Sequence, residues 1–328
     1  MRSDPPEELL RQLRQAGEAV LFCHVGPDGD TLGSARALEL LLNVLGWRTA
    51  MVVDGEVPAR LRFLPGLVLH RPEEWVMPEN AAAIAVDVSS PDRLGRAEAL
   101  YNAAARRWVI DHHGTNPGFG HINWVEGSAP ATAILVNRLY RAMNAPLTKE
   151  AAVCLYTALS TDTGNFVYDS VNGECFEMMA GLMEAGLPLA EISRVLFREK
   201  REDFVRLLAV TLPSLRVTEA GCVAGLCTSL EQFRQNGLDP AETDGVVDYA
   251  IDIQGVCMAY YLHQQGENAV KASLRALPPY RVDQVARRFG GGGHPQAAGC
   301  TLRMPAAQAV REVETALHQA LEEQKTHE

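Results

Sequence analysis

Arg106-Arg107-Trp108-Val109-Ile110-Asp111-His112-His113 is the stretch on which the reading of this chain turns. Trp108 to Ile110 is apolar and reads as a buried strand. It ends in three adjacent ionisable residues, which are costly to bury without a partner. A bound metal ion is a partner that carboxylates and imidazoles can share. Upstream, two more apolar runs end the same way. Ala19-Val20-Leu21-Phe22-Cys23 leads into His24-Val25-Gly26-Pro27-Asp28-Gly29-Asp30, and Ala83-Ile84-Ala85-Val86 stops at Asp87. Three strand-like runs that all close on carboxylates or imidazoles are hard to produce with structural residues alone.

Between these runs the periodicity is helical. Residues 6–16 predict an amphipathic helix, 31–45 a helix closed by Gly46, and 93–106 and 131–143 two more. Strands are predicted at 19–23, 49–53, 83–88 and 108–110. The alternation describes an α/β domain with a mainly parallel sheet flanked by helices. Such sheets bind ligands at the carboxyl ends of their strands, which is where His24, Asp28, Asp30, Asp87, Asp111 and His112 fall. A helix over 149–159 leads into Ser160-Thr161-Asp162-Thr163-Gly164. From 174 to 212 the pattern is helical, broken at Gly186-Leu187-Pro188. Strands at 222–228, 256–262 and 269–276, with helices near 240–253, 282–289 and 306–323, then describe a second, smaller α/β domain. The expected division is 1–190, a helical linker over 191–212, and 213–328.

An apolar content of 47% supplies a core for two domains. No apolar run reaches the ~18 residues of a membrane span. The start is acidic and then amphipathic, unlike a signal peptide. None of the seven cysteines forms a CxxC pair, so reduced thiols and a cytoplasmic location are expected. The net charge of −11 argues against tight, sequence-blind binding of long nucleic acid. Yet Ala269 to Gly299 holds Lys271, Arg275, Arg281, Arg287 and Arg288, with Asp283 as its only acid. That stretch suits a small anionic ligand, or it is a solvated helix face.

Aspartate and histidine without cysteine suit divalent Mn, Mg, Fe, Co or Zn bound for catalysis rather than for structure. Four aspartates and two imidazoles exceed the needs of one ion. Two ions sharing a carboxylate would use them all, and paired metals are a common device for phosphoryl hydrolysis. Taken in order, His24-x3-Asp28-x-Asp30, Asp87, Asp111-His112-His113 and Asp162-Thr163-Gly164 resemble the DHH phosphoesterase superfamily. Ser273-Leu274-Arg275 and Gly290-Gly291-Gly292-Gly293-His294-Pro295-Gln296-Ala297-Ala298-Gly299 resemble the DHHA1 domain that accompanies it. Length and layout are most similar to the bacterial oligoribonuclease (nanoRNase) and pAp phosphatase subgroup.

The resemblance implies a DHH catalytic domain, a DHHA1 substrate-binding domain and a cleft between them. It implies one metal on His24, Asp28 and Asp87 and a second on Asp30, Asp87, His112 and Asp162, with Asp87 bridging. The metals would be manganese, with magnesium or cobalt as alternatives. Asp111 would orient His112, and His113 would face the scissile phosphate. Arg275 and His294 would hold a terminal phosphate, and Gly291, Gly292 and Gly293 would let the backbone approach the nucleotide. The implied activity is hydrolysis of very short RNA to mononucleotides, together with pAp dephosphorylation, in a chain that could form a homodimer. A cyclic di-AMP or linear dinucleotide phosphodiesterase is the alternative that the residues leave open. A RecJ-like exonuclease on longer strands fits the charge less well, and an inactive nucleotide sensor predicts eroded ligands, which are not seen. Ser34 and Arg93 are candidates for contact with phosphate, but Ser34 serves equally as a helix residue and Arg93 as a surface cation. Phe166 and Tyr168 serve as base platforms or as core.

Overall fold

The computed structural model describes residues 3–218 and 221–325. The chain forms two compact units that divide between Glu199 and Lys200.

The N-terminal unit holds a sheet of β1 (Glu18–Phe22), β2 (Arg48–Val52), β3 (Ala82–Val86), β4 (Arg106–Asp111) and β5 (Ile122–Val125). All pairs are parallel and the order is β2-β1-β3-β4-β5. β3 is buried along its whole length, as expected of a parallel strand covered on both faces. Leu21 and Ile84 face one core, while Val20, Phe22 and Val109 face the other. The first core is filled by α1 (Glu7–Leu13), α2 (Gly29–Val44) and, later in the chain, α4 (Thr132–Ala142), α5 (Lys149–Asp162) and α6 (Gly173–Glu184). The second core is covered by Leu94 and by Tyr101 of α3 (Glu98–Ala103).

Three local expectations change. The predicted helix over 93–106 is a 3-10 turn, Pro91–Ala97, broken where Gly95 takes φ 57°, followed by the short α3. β4 then claims Arg106 and Arg107. β5 was not expected: it is four residues long at the sheet edge, and only Trp124 is buried. Asp162 is the last residue of α5 rather than part of a loop.

α2 and α5 approach closely because α2 presents glycines to α5. A Cβ on Gly33 would lie 2.9 Å from the Ala158 Cβ and closer still to the Cys154 carbonyl. One on Gly29 would run into Thr161. The unit ends with α7 (Leu189–Ser193) and a π-helical turn, Arg194–Arg198.

The C-terminal unit is a six-stranded mixed sheet. Its strands are β6 (Arg216–Val217), β7 (Val223–Thr228), β8 (Met258–Gly266), β9 (Ala269–Ala276), β10 (Gly292–His294) and β11 (Ala297–Leu302), in the order β10-β11-β9-β8-β7-β6. Its helices are α8 (Glu202–Thr211), α9 (Leu230–Asn236), α10 (Asp248–Ile251), α11 (Asp283–Arg288) and α12 (Ala306–Lys325). α11 and α12 cover one face, against Val270, Ala272, Leu274 and Ala298. α8, α9 and α10 cover the other face only over β7 and β8. The same side of β9 and β11 carries Lys271, Ser273, Gly299 and Thr301, which the described helices leave open, and Arg275, which meets α10 through Asp248. The helix expected over 240–253 shrinks to α10, because Pro240 and Gly245 (φ 86°) hold the approach in turns. Two residues of the glycine run, Gly292 and Gly293, lie in the strand β10.

Candidate metal centre

A parallel sheet in the order 2-1-3-4-5 has its topological switch between β1 and β3, and the crevice there is the favoured ligand position. The chain puts its ionisable residues at that point. His24 lies two residues past β1, Asp87 follows β3 directly, and Asp111 closes β4. Asp28 caps α2, accepting hydrogen bonds from the backbone N–H groups of Asp30 and Thr31 at 3.1 Å. Asp87 sits at φ 61°, a left-handed conformation that costs a non-glycine residue about 1 kcal/mol or more. Its amide is held by the Ile110 carbonyl at 2.9 Å and its carboxylate by the Thr132 hydroxyl at 2.8 Å. The surroundings enforce that geometry on an otherwise unfavourable residue.

Two ligand groups meet at Asp87. Oδ2 lies 3.8 Å from His24 Nε2, which lies 3.6 Å from Asp28. Oδ1 lies 3.6 Å from His112 Nε2, which lies 3.3 Å from Asp162 and 3.8 Å from Asp30. His24, Asp28 and Asp87 can hold one ion, and Asp30, His112 and Asp162 another. Both histidines have their second nitrogen fixed: Nδ1 of His112 donates to the Ala129 carbonyl (3.1 Å) and Nδ1 of His24 to the Val25 carbonyl (2.9 Å). That tautomer turns each Nε2 lone pair toward the carboxylates.

Asp30, Asp87 and Asp111 are buried together, with Asp162 half-buried and Asp28 exposed beside them, and this crowding disfavours the charged forms. Burial, then repulsion from Asp162, pushes Asp30 up to about 7. Burial, with Asp28 adding to it, pushes Asp162 up to about 6. Asp87 is raised well above the carboxylate range by burial and by Asp30, Asp28 and Asp111. Such a cluster is relieved by bound cations, the largest local charges available to it. The oxygen and imidazole donors suit a divalent ion of hard or intermediate character. Cys23 is close by but belongs to none of these ligand groups; its thiol turns to the Thr31 carbonyl, 3.9 Å away.

Asp111 does not orient His112, as expected above. Its Oδ1 accepts from His113 Nδ1 at 2.7 Å. Residues two apart along an extended chain share a side, and neighbours do not. Asp111 and His113 therefore face each other while His112 turns away. Asn116 donates to the other Asp111 oxygen at 2.7 Å and to the Val88 carbonyl at 2.8 Å. Burial opposes ionisation of Asp111, but the His113 bond prevails and holds it below the usual carboxylate range. Asp30 has partners the sequence did not announce. The N–H groups of Thr132 (2.7 Å) and Ala133 (3.2 Å), at the uncapped start of α4, both donate to it. Ser34 donates to it at 2.7 Å, which gives Ser34 a role inside the protein. Phe166 packs on the core and stacks with Phe176, whereas Tyr168 is 59% exposed and covers Gly164.

In the C-terminal unit, Arg275, Ala297 and His294 lie opposite one another on β9, β11 and β10, and so do Ser273, Gly299 and Gly292. All six residues share one face, since opposed residues point the same way. Arg275 Nε contacts Asp248 at 3.3 Å, and both side chains are partly open to solvent. A Cβ on Gly291 would strike Cys300 at 2.5 Å, and one on Gly293 would lie 2.6 Å from the Ala298 backbone. Those two glycines are required by the hairpin itself. Gly292 alone of the three meets open space.

Comparison with known proteins settles the family. Residues 18–159 match the model of the DHH family, N-terminal domain, and residues 221–323 match the DHHA1 domain. The chain is 32% identical over 302 residues to the bifunctional oligoribonuclease and PAP phosphatase NrnA of Thermus thermophilus, covering 90% of this chain and 88% of that one. The chain belongs to the DHH family. The Bacillus subtilis protein of the same name is 24% identical, covering 90% of this chain and 92% of its own. The crystal structure of an exopolyphosphatase-related protein from Bacteroides fragilis superposes with a TM-score of 0.87 at 26% identity, over 95% of both chains. The candidate metal centre therefore lies in the DHH unit and the open sheet face of β9 and β11 in the DHHA1 unit. Among the described residues, no helix is long and apolar enough to cross a membrane.

Proposed function

We propose that the chain is a phosphohydrolase that uses two divalent ions to degrade very short RNA to mononucleotides and to dephosphorylate pAp. One observation carries this reading: the two oxygens of Asp87 face two separate ligand groups. His24, Asp28 and Asp87 hold one ion, and Asp30, Asp87, His112 and Asp162 the other. Manganese suits this donor set, and magnesium or cobalt would occupy it too. When bound, the ions supply an activated water and neutralise charge on the phosphate. His113 points its free Nε2 away from Asp111 and delivers a proton to the leaving oxygen. Asp111, held by Asn116, keeps that imidazole in one tautomer. Arg275 and His294 grip a terminal phosphate across the small residues Ala297, Gly292 and Gly299, with the fork of Arg275 matched to phosphate oxygens. The names of the Thermus and Bacillus relatives support the substrate class. All seven cysteines are free thiols, which supports a reducing, cytoplasmic setting.

The test is a manganese-dependent digestion of an RNA dinucleotide, a long RNA strand, pAp and cyclic di-AMP, with products resolved by chromatography. Preference for the dinucleotide, with turnover of pAp, is expected. Preference for cyclic di-AMP or for the long strand would overturn the substrate assignment.

A further inference from the structure

The 3-10 turn Pro91–Ala97 follows the bridging Asp87 and packs beside His24. Its backbone is fixed by contacts that do not involve the Arg93 side chain. Val25 N–H donates to the Arg93 carbonyl at 2.8 Å. Arg96 clamps Asp54 through its backbone N–H (2.8 Å) and its Nε (2.9 Å). Gly95 packs so closely that a Cβ there would lie 2.5 Å from Val25 and 2.6 Å from Asp54. The turn therefore presents Arg93 at a set position.

Among the described residues, the Arg93 side chain meets no carboxylate and no carbonyl, only the ring of His24. One guanidinium nitrogen lies 3.2 Å from His24 Nδ1. That ring nitrogen also lies 2.9 Å from the Val25 carbonyl, a bond that requires it to carry the proton. Two donors then face each other, and guanidinium cannot accept. Among the described residues no carboxylate pairs with Arg93, although neighbouring arginines are matched: Arg96 with Asp54 and Glu73, Arg71 with Glu56, Arg36 with Glu39. A half-buried cation with free donors thus stands one imidazole's width from the His24, Asp28 and Asp87 group. A partly buried charge of this kind calls for an anion, and a planar fork of N–H groups matches phosphate oxygens in particular.

We infer that Arg93 binds a phosphate at the metal centre, namely the scissile phosphate of the substrate and the same group on the 5′-mononucleotide released. The inference rests on the phosphohydrolase reading above. Arg93 touches the phosphate directly and leaves the metal ligands in place, because His24 is held by Val25.

The test uses full-length Arg93→Gln and Arg93→Lys, which keep an unbranched stem and the backbone bonds of the turn. Calorimetry measures binding of 5′-AMP and of inorganic phosphate to the manganese-saturated protein. A separate titration measures manganese affinity, and a thermal melt checks folding. Arg93→Gln is expected to weaken 5′-AMP and phosphate by about tenfold or more, with Arg93→Lys between it and wild type, as expected for loss of a charge-assisted fork. Manganese affinity stays within about twofold. Unchanged 5′-AMP affinity would overturn the inference. An equal loss of manganese affinity would overturn it too, making Arg93 a prop for His24. Failure of wild type to bind either anion refutes the inference. Failure to cleave short RNA with 5′-AMP binding intact refutes only the substrate assignment.

Discussion

Replacing Gly33 with alanine tests how the fold positions the centre. Gly33 is one helical turn from Asp30 on α2, and Ala158 is one turn from Asp162 on α5. The added Cβ would lie 2.9 Å from the Ala158 Cβ, against 3.4–4 Å for ordinary contact, and nearer still to the Cys154 carbonyl. The helices must part by about 0.5 Å for the methyl group and about twice that for the carbonyl, since close-packed interiors leave no slack. Overpacking of this kind costs about 1–3 kcal/mol. For a unit of this size the melting temperature should fall by roughly 5 °C. The same displacement separates Asp30 from Asp162, and a misplacement of about 1 Å can cost a site a hundredfold. Manganese affinity should therefore fall about tenfold or more, read by calorimetric titration. Gly181→Ala on α6 is the control. Its Cβ meets nothing within 4 Å, so it should stabilise the protein by about 0.5–1 kcal/mol without touching metal affinity. A Gly33→Ala protein with unchanged melting and manganese affinity within twofold of wild type would refute the reasoning.

Asp87→Asn keeps the volume and a residue that tolerates the left-handed backbone, and it should reduce turnover below detection with manganese, magnesium or cobalt in a phosphodiesterase assay. Asp111→Asn should lower kcat by about a hundredfold with KM little changed, because His113 loses its orienting carboxylate. Arg275→Ala should raise KM for substrates with a terminal phosphate far more than for a generic phosphodiester; equal losses on both would make Arg275 structural. His263 is fully buried, neither ring nitrogen has a hydrogen-bond partner among the described residues, and burial, then Lys271, lowers its pKa to about 4. Between the unfolded value of about 6.5 and the folded one, the unfolded chain binds a proton that the folded chain refuses. Stability should therefore fall as pH drops through that window, by roughly 3 kcal/mol in all. Urea melts from pH 7 to 4 should show that slope in wild type and a reduced one in His263→Phe.

The parallel sheet was legible because buried strands must be apolar throughout, so the point where Ala83 to Val86 meets Asp87 stands out. The same contrast placed His24 and Asp111. What the sequence did not disclose depends on tertiary pairing. Asp30 supplies the missing cap of α4 from 102 residues away in sequence, and nothing near Ala131 announces that. The glycine run hid β10, because a strand without side chains has no periodicity to read. Asp111 pairs with His113 and not His112 because the alternation of the extended chain continues past the end of β4, which adjacency in sequence does not show. Arg93 looked like a surface cation until its lack of a carboxylate partner beside His24 became visible.

Anomalous diffraction from crystals grown with manganese tests the central claim most directly. The account predicts two peaks, one against each oxygen of Asp87, the first shared with His24 and Asp28 and the second with Asp30, His112 and Asp162. A single peak, or an Asp87 that ligates only one ion, would contradict it.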